Sequence, residues 1–280
     1  MSRPVPIETL DLFPEVDALL IEFLRGLTPD EWQRPTLAPR WTVLDVALHL
    51  LDGNLRTLSM LRDGYFGVQP PATANTYAGL VDFLNTLNAD WLTATRRLSP
   101  GIATWLLELT GREYSAFLRK LDPWAPAAFP VGWAGESESL NWFHVAREYT
   151  EKWHHQQQVR QAVGRGETVL LQPRLYRPYV ETSMRALPHQ YRHVLAPQGT
   201  VLRVVIGSPE LYAGYLHRKA ETWELGDVVD QPTASVEIDA AVAWRLFSKQ
   251  LSRAEAEKHV RVTGPVGLAE AIFDMVAVMV

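Results

Sequence analysis

The chain of 280 residues contains no cysteine. That absence rules out a disulfide framework, a protein thiolate nucleophile and any cysteine-ligated zinc or iron–sulfur site. A metal held by this chain must be held by histidines and carboxylates, and any thiol chemistry must use a thiol carried by a small molecule. The sequence also lacks an uninterrupted apolar run of the ~18–20 residues needed to span a bilayer. Its first residues, MSRPVPIETLDLFPEV, show no apolar core of the signal-peptide kind. A soluble, cytoplasmic protein without a membrane partner is therefore expected. Basic excess is missing too: the net charge is −5, which argues against a nucleic-acid backbone as the main partner.

What is present is ordinary globular composition, 47% hydrophobic and 21% charged, so disorder is not expected. Ten tryptophans are unevenly spread, most of them before residue 160, and the two ends of the chain differ in pattern. Residues 13–26 carry apolar positions at helical spacing and stop at Gly26. Residues 42–64 open with Thr42 and Asp45 in a capping-box arrangement and end at Gly64. Further helices are expected over 77–97, from Ser99-Pro100 to about Leu121, over 139–163 with Gly164 as terminator, and over 173–187. After residue 195, segments 200–207, 233–240 and 258–264 read as strands, with 220–227 a weaker candidate. Helices over about 240–250 and 265–280 follow. The fold class expected is α+β in two domains. An antiparallel helical bundle fills residues 1–165, a connecting helix and linker 166–195, and a small α+β domain 196–280.

The segment 148-EYTEKWHHQQQVRQAVG-164 concentrates histidines, carboxylates and glutamines on one predicted helix. At about 100° per residue, with Glu151 at zero, His155 falls at about 40°, His144 at about 20° and Glu148 at about 60°. Glu151 and His155 are an i, i+4 pair able to converge on one ion. His49 stands among aliphatic residues in 46-VALHLLD-52, inside the second long helix. Sites in bundles are built from facing helices, and a histidine with this Glu–His pair makes an N₂O set. Three protein ligands with one open position suit catalytic zinc, and nickel, iron or manganese are accepted by the same donors. Read blandly, His49 is a satisfied core histidine and the Glu and His residues face water. His144 with Glu148 offers an alternative register for the ligands.

Two motifs together carry a family resemblance. WTVLDVALHLLDGNLRTLSMLRDG resembles the second helix of the DinB/YfiT-like superfamily, and EKWHHQQQVRQAVG resembles its later ligand-bearing helix. The Glu-x-x-x-His form is similar to the mycothiol-dependent maleylpyruvate isomerase branch. The strands and closing helix of the last third resemble a sterol-carrier-like domain fused behind the bundle. The resemblance implies a DinB-like four-helix bundle with metal ligands His49, Glu151 and His155. It also implies a mycothiol- or bacillithiol-like thiol as cosubstrate, and S-transfer or cis–trans isomerisation of a small electrophilic substrate. Asp45 and Asp52, one turn either side of His49, are candidates to orient its imidazole, and Arg147 and Arg160 to bind or steer an anionic thiol or substrate. Arg203, Arg218 and Lys219 offer positive charge in the last third. Competing expectations are a carrier of an apolar ligand and a metallohydrolase that needs no thiol. The second substrate and the oligomeric state have no signature in the sequence.

Overall fold

A computed structural model describes residues 5–278, with Tyr77 described by its backbone alone. It divides into two compact units. The helical unit holds residues 8–128 and 140–170, and the second unit holds residues 129–139, 171–278 and the described residues 5–7. The units are interleaved along the chain rather than consecutive, because 129–139 belongs with the C-terminal part. Residues 171–195, set apart by the sequence as a connection, also belong to that second unit.

The helical unit begins with α1 (Phe13–Arg25) and a one-turn α2 (Pro29–Trp32) capped by a Thr28/Glu31 box. Next come α3 (Val43–Thr57), α4 (Tyr77–Thr95), α5 (Pro100–Leu118), α6 (Asn141–Val163) and the single turn α7 (Glu167–Leu170). The Thr42/Asp45 capping box closes the start of α3 as the sequence predicts, and Ser99 caps α5 through the Ile102 N–H. A π-helical turn, Leu58–Arg62, continues α3. Helix α3 packs against α4, α5 and α6, and α1 against α5 and α6. The core between them is aliphatic, with Leu20, Leu24, Val46, Ala47, Leu50, Leu51, Leu107 and Val159 buried. Trp91 of α4 ties to α3 by donating its Nε1–H to the Leu48 carbonyl at 2.8 Å. Trp153, fully buried on α6, donates to the Leu170 carbonyl at 3.0 Å.

In the second unit, α8 (Pro173–Met184) and α9 (Leu187–Tyr191) precede a five-stranded sheet. Its strands are β1 (Val201–Ile206), β2 (Tyr212–Arg218), β3 (Trp223–Gly226), β4 (Ala234–Ile238) and β5 (Val260–Thr263), in the order β3-β2-β1-β4-β5. Strands β1 and β4 run parallel and the other neighbours antiparallel. Helices α10 (Ala240–Phe247), α11 (Arg253–Ala256) and α12 (Val266–Ala269) complete the unit. Strand side chains alternate between faces. One face carries Leu202, Val204, Ile206, Leu216, Val236 and Ile238, all essentially without exposure, and Trp223 there meets the Tyr191 ring of α9 at 5.6 Å. The other face carries Arg203, Tyr215, His217, Ser235 and Glu237, each half-buried.

Two expectations need correction. Strand β2, YAGYLHR, has no counterpart in the sequence reading; Gly214 at its centre lowers its strand signal, and pairing with β1 and β3 on both edges supplies the stability instead. The helix expected over 265–280 is only α12 and a 3₁₀ stretch, Glu270–Asp274, before the chain extends at Met275 (residues 279–280 lie outside the described part). Glu270 and Asp274 are exposed, but the residues that follow them are all apolar, so no polar stripe continues a helix beyond Asp274. Met275 and Ala277 are buried at strand-like spacing.

Candidate metal centre

The site is assembled from α3 and α6. Asp45 holds the first turn of α3 by accepting the Thr42 N–H at 2.9 Å, and Arg96 of α4 grips its two oxygens at 2.7 and 3.1 Å. One turn on, half-buried His49 projects between buried Leu48 and Leu50. Facing it, α6 runs unbroken to Gly164, whose φ of 76° lets the chain leave the helix in the left-handed conformation. Glu151 and His155 lie one turn apart on that helix, with His155 Nε2 3.4 Å from Glu151 Oε2. The ligand atoms of His49, Glu151 and His155 all lie within 4.8 Å of one another. The imidazoles of His49 and His155 meet edge to face, centroids 4.7 Å apart, and the Trp41 indole lies 4.8 Å from His49 and 6.3 Å from His155.

The electrostatics suit ligation. Burial, with the neighbouring charges of His155, Arg56 and His154 added, holds His49 well below the ordinary histidine value. It is therefore a neutral imidazole with a free lone pair, the form a metal requires. His155 donates its Nδ1–H to Gln158 Oε1 at 2.7 Å, which fixes the tautomer and leaves Nε2 unprotonated beside Glu151, its lone pair free for a metal. Ligands bonded at ~2.0–2.2 Å around a tetrahedral ion sit about 3.4 Å apart. The His155–Glu151 separation has that value already, and the His49 ligand atom lies within 4.8 Å of both. The residues present thus fit a divalent ion with two nitrogens, one carboxylate oxygen and a remaining open position.

Other residues singled out by the sequence have different surroundings. Asp45 is committed to Thr42 and Arg96, and Asp52 faces Arg56 at 3.6 Å, so the orienting partner in the site is Gln158 on His155 instead. His144 and Glu148 sit one turn earlier on α6 in a buried network. Arg147 reaches His144 Nδ1 at 2.7 Å and Glu148 at 2.8 Å, and the Tyr114 hydroxyl of α5 donates to Glu148 at 2.7 Å. Arg160 is buried; it donates to the Leu19 and Gly166 carbonyls and stacks 4.4 Å over Phe23, and burial lowers its guanidinium to about 10. The sequence reading passed over Gln158 and Trp41. The run Gln156–Gln158, buried throughout, was the available signal, since a buried amide must find a partner.

These features define an α+β protein whose helical unit carries a His₂–Glu constellation across two helices. Residues 13–160 match the family described as the mycothiol maleylpyruvate isomerase N-terminal domain. The match takes in more than half of the chain, which belongs to that family. A crystal structure of the mycothiol-dependent maleylpyruvate isomerase superposes with a TM-score of 0.56 at 14% identity, covering 92% of this chain and 93% of the other. A histidine-to-alanine mutant of that enzyme superposes with a TM-score of 0.53 at the same identity and coverage. At this identity the likeness is one of fold. A search of the curated proteins gave no match.

Proposed function

We propose that the protein is a divalent-metal-dependent enzyme that uses a low-molecular-weight thiol, of the mycothiol or bacillithiol kind, for isomerisation or S-transfer on a small electrophilic substrate. The observation that carries this is the convergence of His49, Glu151 and His155 within 4.8 Å. Family membership supports it. A divalent ion at these donors, zinc by the chemistry of an N₂O set, lowers the pKa of a thiol at the open position from about 8.5, so that thiolate is available at neutral pH. His49 and His155 bind as neutral nitrogens and Glu151 as a carboxylate. Gln158 holds the His155 proton on Nδ1, and Trp41 shields the histidine pair from water. Because the chain has no cysteine, the sulfur comes from the cosubstrate. Addition of that sulfur to a carbon conjugated with a carbonyl moves the π pair onto the carbonyl oxygen. The former double bond then rotates, and return of the pair expels the thiolate and leaves the other geometric isomer.

In this reading the helical unit is a DinB-like four-helix bundle and the second unit a sterol-carrier-like domain. The protein works in the cytoplasm on small molecules, without nucleic acid or membrane. No helix among the described residues is long and apolar enough to cross a membrane.

The test is metal content after purification without chelator or histidine tag. One ion per chain in the wild type and little in His49→Ala is expected, followed by thiol-dependent turnover in the wild type alone. Absence of metal from both proteins after zinc or nickel is offered would sink the proposal. Ester hydrolysis without thiol would replace it with a metallohydrolase.

A further inference from the structure

His155 is held by Gln158, but His49 makes no hydrogen bond among the described residues. The ring torsion of a histidine is broad and roughly two-fold, so an imidazole without a hydrogen bond depends on packing to aim its nitrogen. A ligating histidine ordinarily takes its aim from a hydrogen-bonded neighbour. Here the neighbours are rings: the Trp41 indole at 4.8 Å and a tilt of 46°, and His155 edge to face.

Trp41 comes from a loop, residues 34–43, that is fastened to both ligand helices. Arg34 donates its Nη1–H to the Val163 carbonyl at the end of α6 at 2.6 Å, and its own carbonyl accepts the Val43 N–H at the start of α3 at 3.0 Å. Between these anchors Pro35 pairs with Thr42 in an antiparallel bridge. The Thr36 N–H and hydroxyl both donate to the Trp41 carbonyl at 3.0 Å, and the Trp41 N–H donates to the Ala38 carbonyl at 3.1 Å. Arg40 takes a φ of 70°, a left-handed conformation that is unfavourable for a residue with a Cβ. Its side chain is exposed, so its own packing gives no reason for the strain. Such strain persists where the surroundings over-determine the backbone, and the residue it turns toward the core is Trp41.

We propose that Trp41 is the positioning residue for His49: the anchored loop sets the indole against the imidazole and keeps the α3 ligand aimed at Glu151 and His155. The flat indole face restricts rotation of the ring in the way a hydrogen bond does elsewhere, and it leaves both ring nitrogens free of a competing partner. Its bearing on catalysis rests on the metal-dependent reading above, whereas the aim of the ring is a property of the metal-free protein.

The experiment has two readouts on the full-length protein. The first is the nuclear Overhauser contact between the His49 and His155 ring protons without metal, and the second is zinc affinity by competition with a chromophoric chelator. Trp41→Ala should lose the ring contact and at least tenfold in affinity, and Trp41→Phe should keep the contact and bind zinc within threefold of the wild type. Arg40→Gly accepts the left-handed conformation and should bind zinc within twofold. Arg40→Pro, with φ fixed near −65°, turns the indole away and should match Trp41→Ala although the tryptophan is still present. Should Trp41→Ala fail to fold, Arg40→Pro decides. Retention of the ring contact and of zinc affinity within twofold in Trp41→Ala overturns the proposal, as does an equal loss in Trp41→Phe. A wild type that binds no zinc, with the ring contact still lost in Trp41→Ala, would remove the metal reading and uphold the positioning of His49, so the two fail separately.

Discussion

Gln158 is where the geometry of the candidate centre gives the sharpest expectation. It is a buried glutamine whose carbonyl receives the His155 Nδ1–H at 2.7 Å, three residues along the same helix. Replacement by alanine removes that acceptor and frees the imidazole to rotate and to exchange tautomers, so that Nε2 no longer stands ready. The lost hydrogen bond contributes about 1 kcal/mol net, and a similar amount is expected for orientation, about 2 kcal/mol together. At 1.4 kcal/mol per factor of ten, zinc affinity should drop roughly 10- to 60-fold. Competition with a chromophoric chelator at neutral pH measures this directly. Gln158→Glu retains an acceptor, and its charge raises the basicity of the imidazole, so it should bind zinc at least as well as the wild type. Gln157→Ala is the control: Gln157 donates to the Glu167 carbonyl at 3.1 Å, so its loss should lower stability and leave affinity alone. Zinc affinity of Gln158→Ala within twofold of wild type, or an equal loss in Gln157→Ala, would refute the orienting role.

Asp45→Ala should destabilise the helical unit by about 2 kcal/mol. About half comes from the capping box, and the rest from the Arg96 pair, discounted because the arginine side chain is 54% exposed. Calorimetry should show a fall of about 4–8 °C for a unit of this size, and an unchanged midpoint would contradict the assignment. Part of the acid sensitivity should originate in the His144–Glu148 network, beside that of the buried histidines His49 and His154. Burial, with Arg147 added and Glu148 opposing, lowers His144 to about 4. Between pH 6.5 and about 4 the unfolded chain therefore takes up a proton that the fold refuses, and stability declines by up to about 1.4 kcal/mol per pH unit. Burial alone would raise Glu148, but Arg147, His144 and Tyr114 bring it to about 2, so the decline continues below pH 4.5. Urea midpoints against pH should be flatter in His144→Leu over the upper part of that window; identical slopes would remove His144 as the cause.

The helices were legible because local rules govern them. Thr42 and Asp45 announce the start of α3, Gly164 announces the end of α6, and a turn of about 100° per residue puts Glu151 and His155 on one face without knowledge of any other helix. His49 was legible only as a histidine out of place. Its distance from α6 is a tertiary fact that family resemblance could suggest and periodicity could not. The role of Gln158 was hidden for the same reason: three consecutive glutamines look alike until burial shows that each needs its own partner. Arg160 illustrates the reverse error of treating charge as availability, since its guanidinium is spent on carbonyls and on Phe23. Strand β2 went unread because its stability comes from neighbours on both edges, and the tail because the residues from Met275 on are all apolar and carry no periodicity that would tell a helix from an extended segment.

The interleaving of the two units bears on the order in which the chain folds as it is synthesised. Every segment of the helical unit has been made once residue 170 emerges, so that unit can close early. Residues 129–139 are different. Val131 and Trp133 are buried in the finished protein, and Gly135 lies so close to the His189 ring that a Cβ there would collide with it. Their partners come later in the chain. At about 5–20 residues per second, the roughly fifty residues between this segment and His189 leave Val131 and Trp133 without that cover for several seconds. A ribosome that stalls after the helical unit therefore releases a nearly complete bundle with one sticky loop, a substrate for chaperones and a site for aggregation.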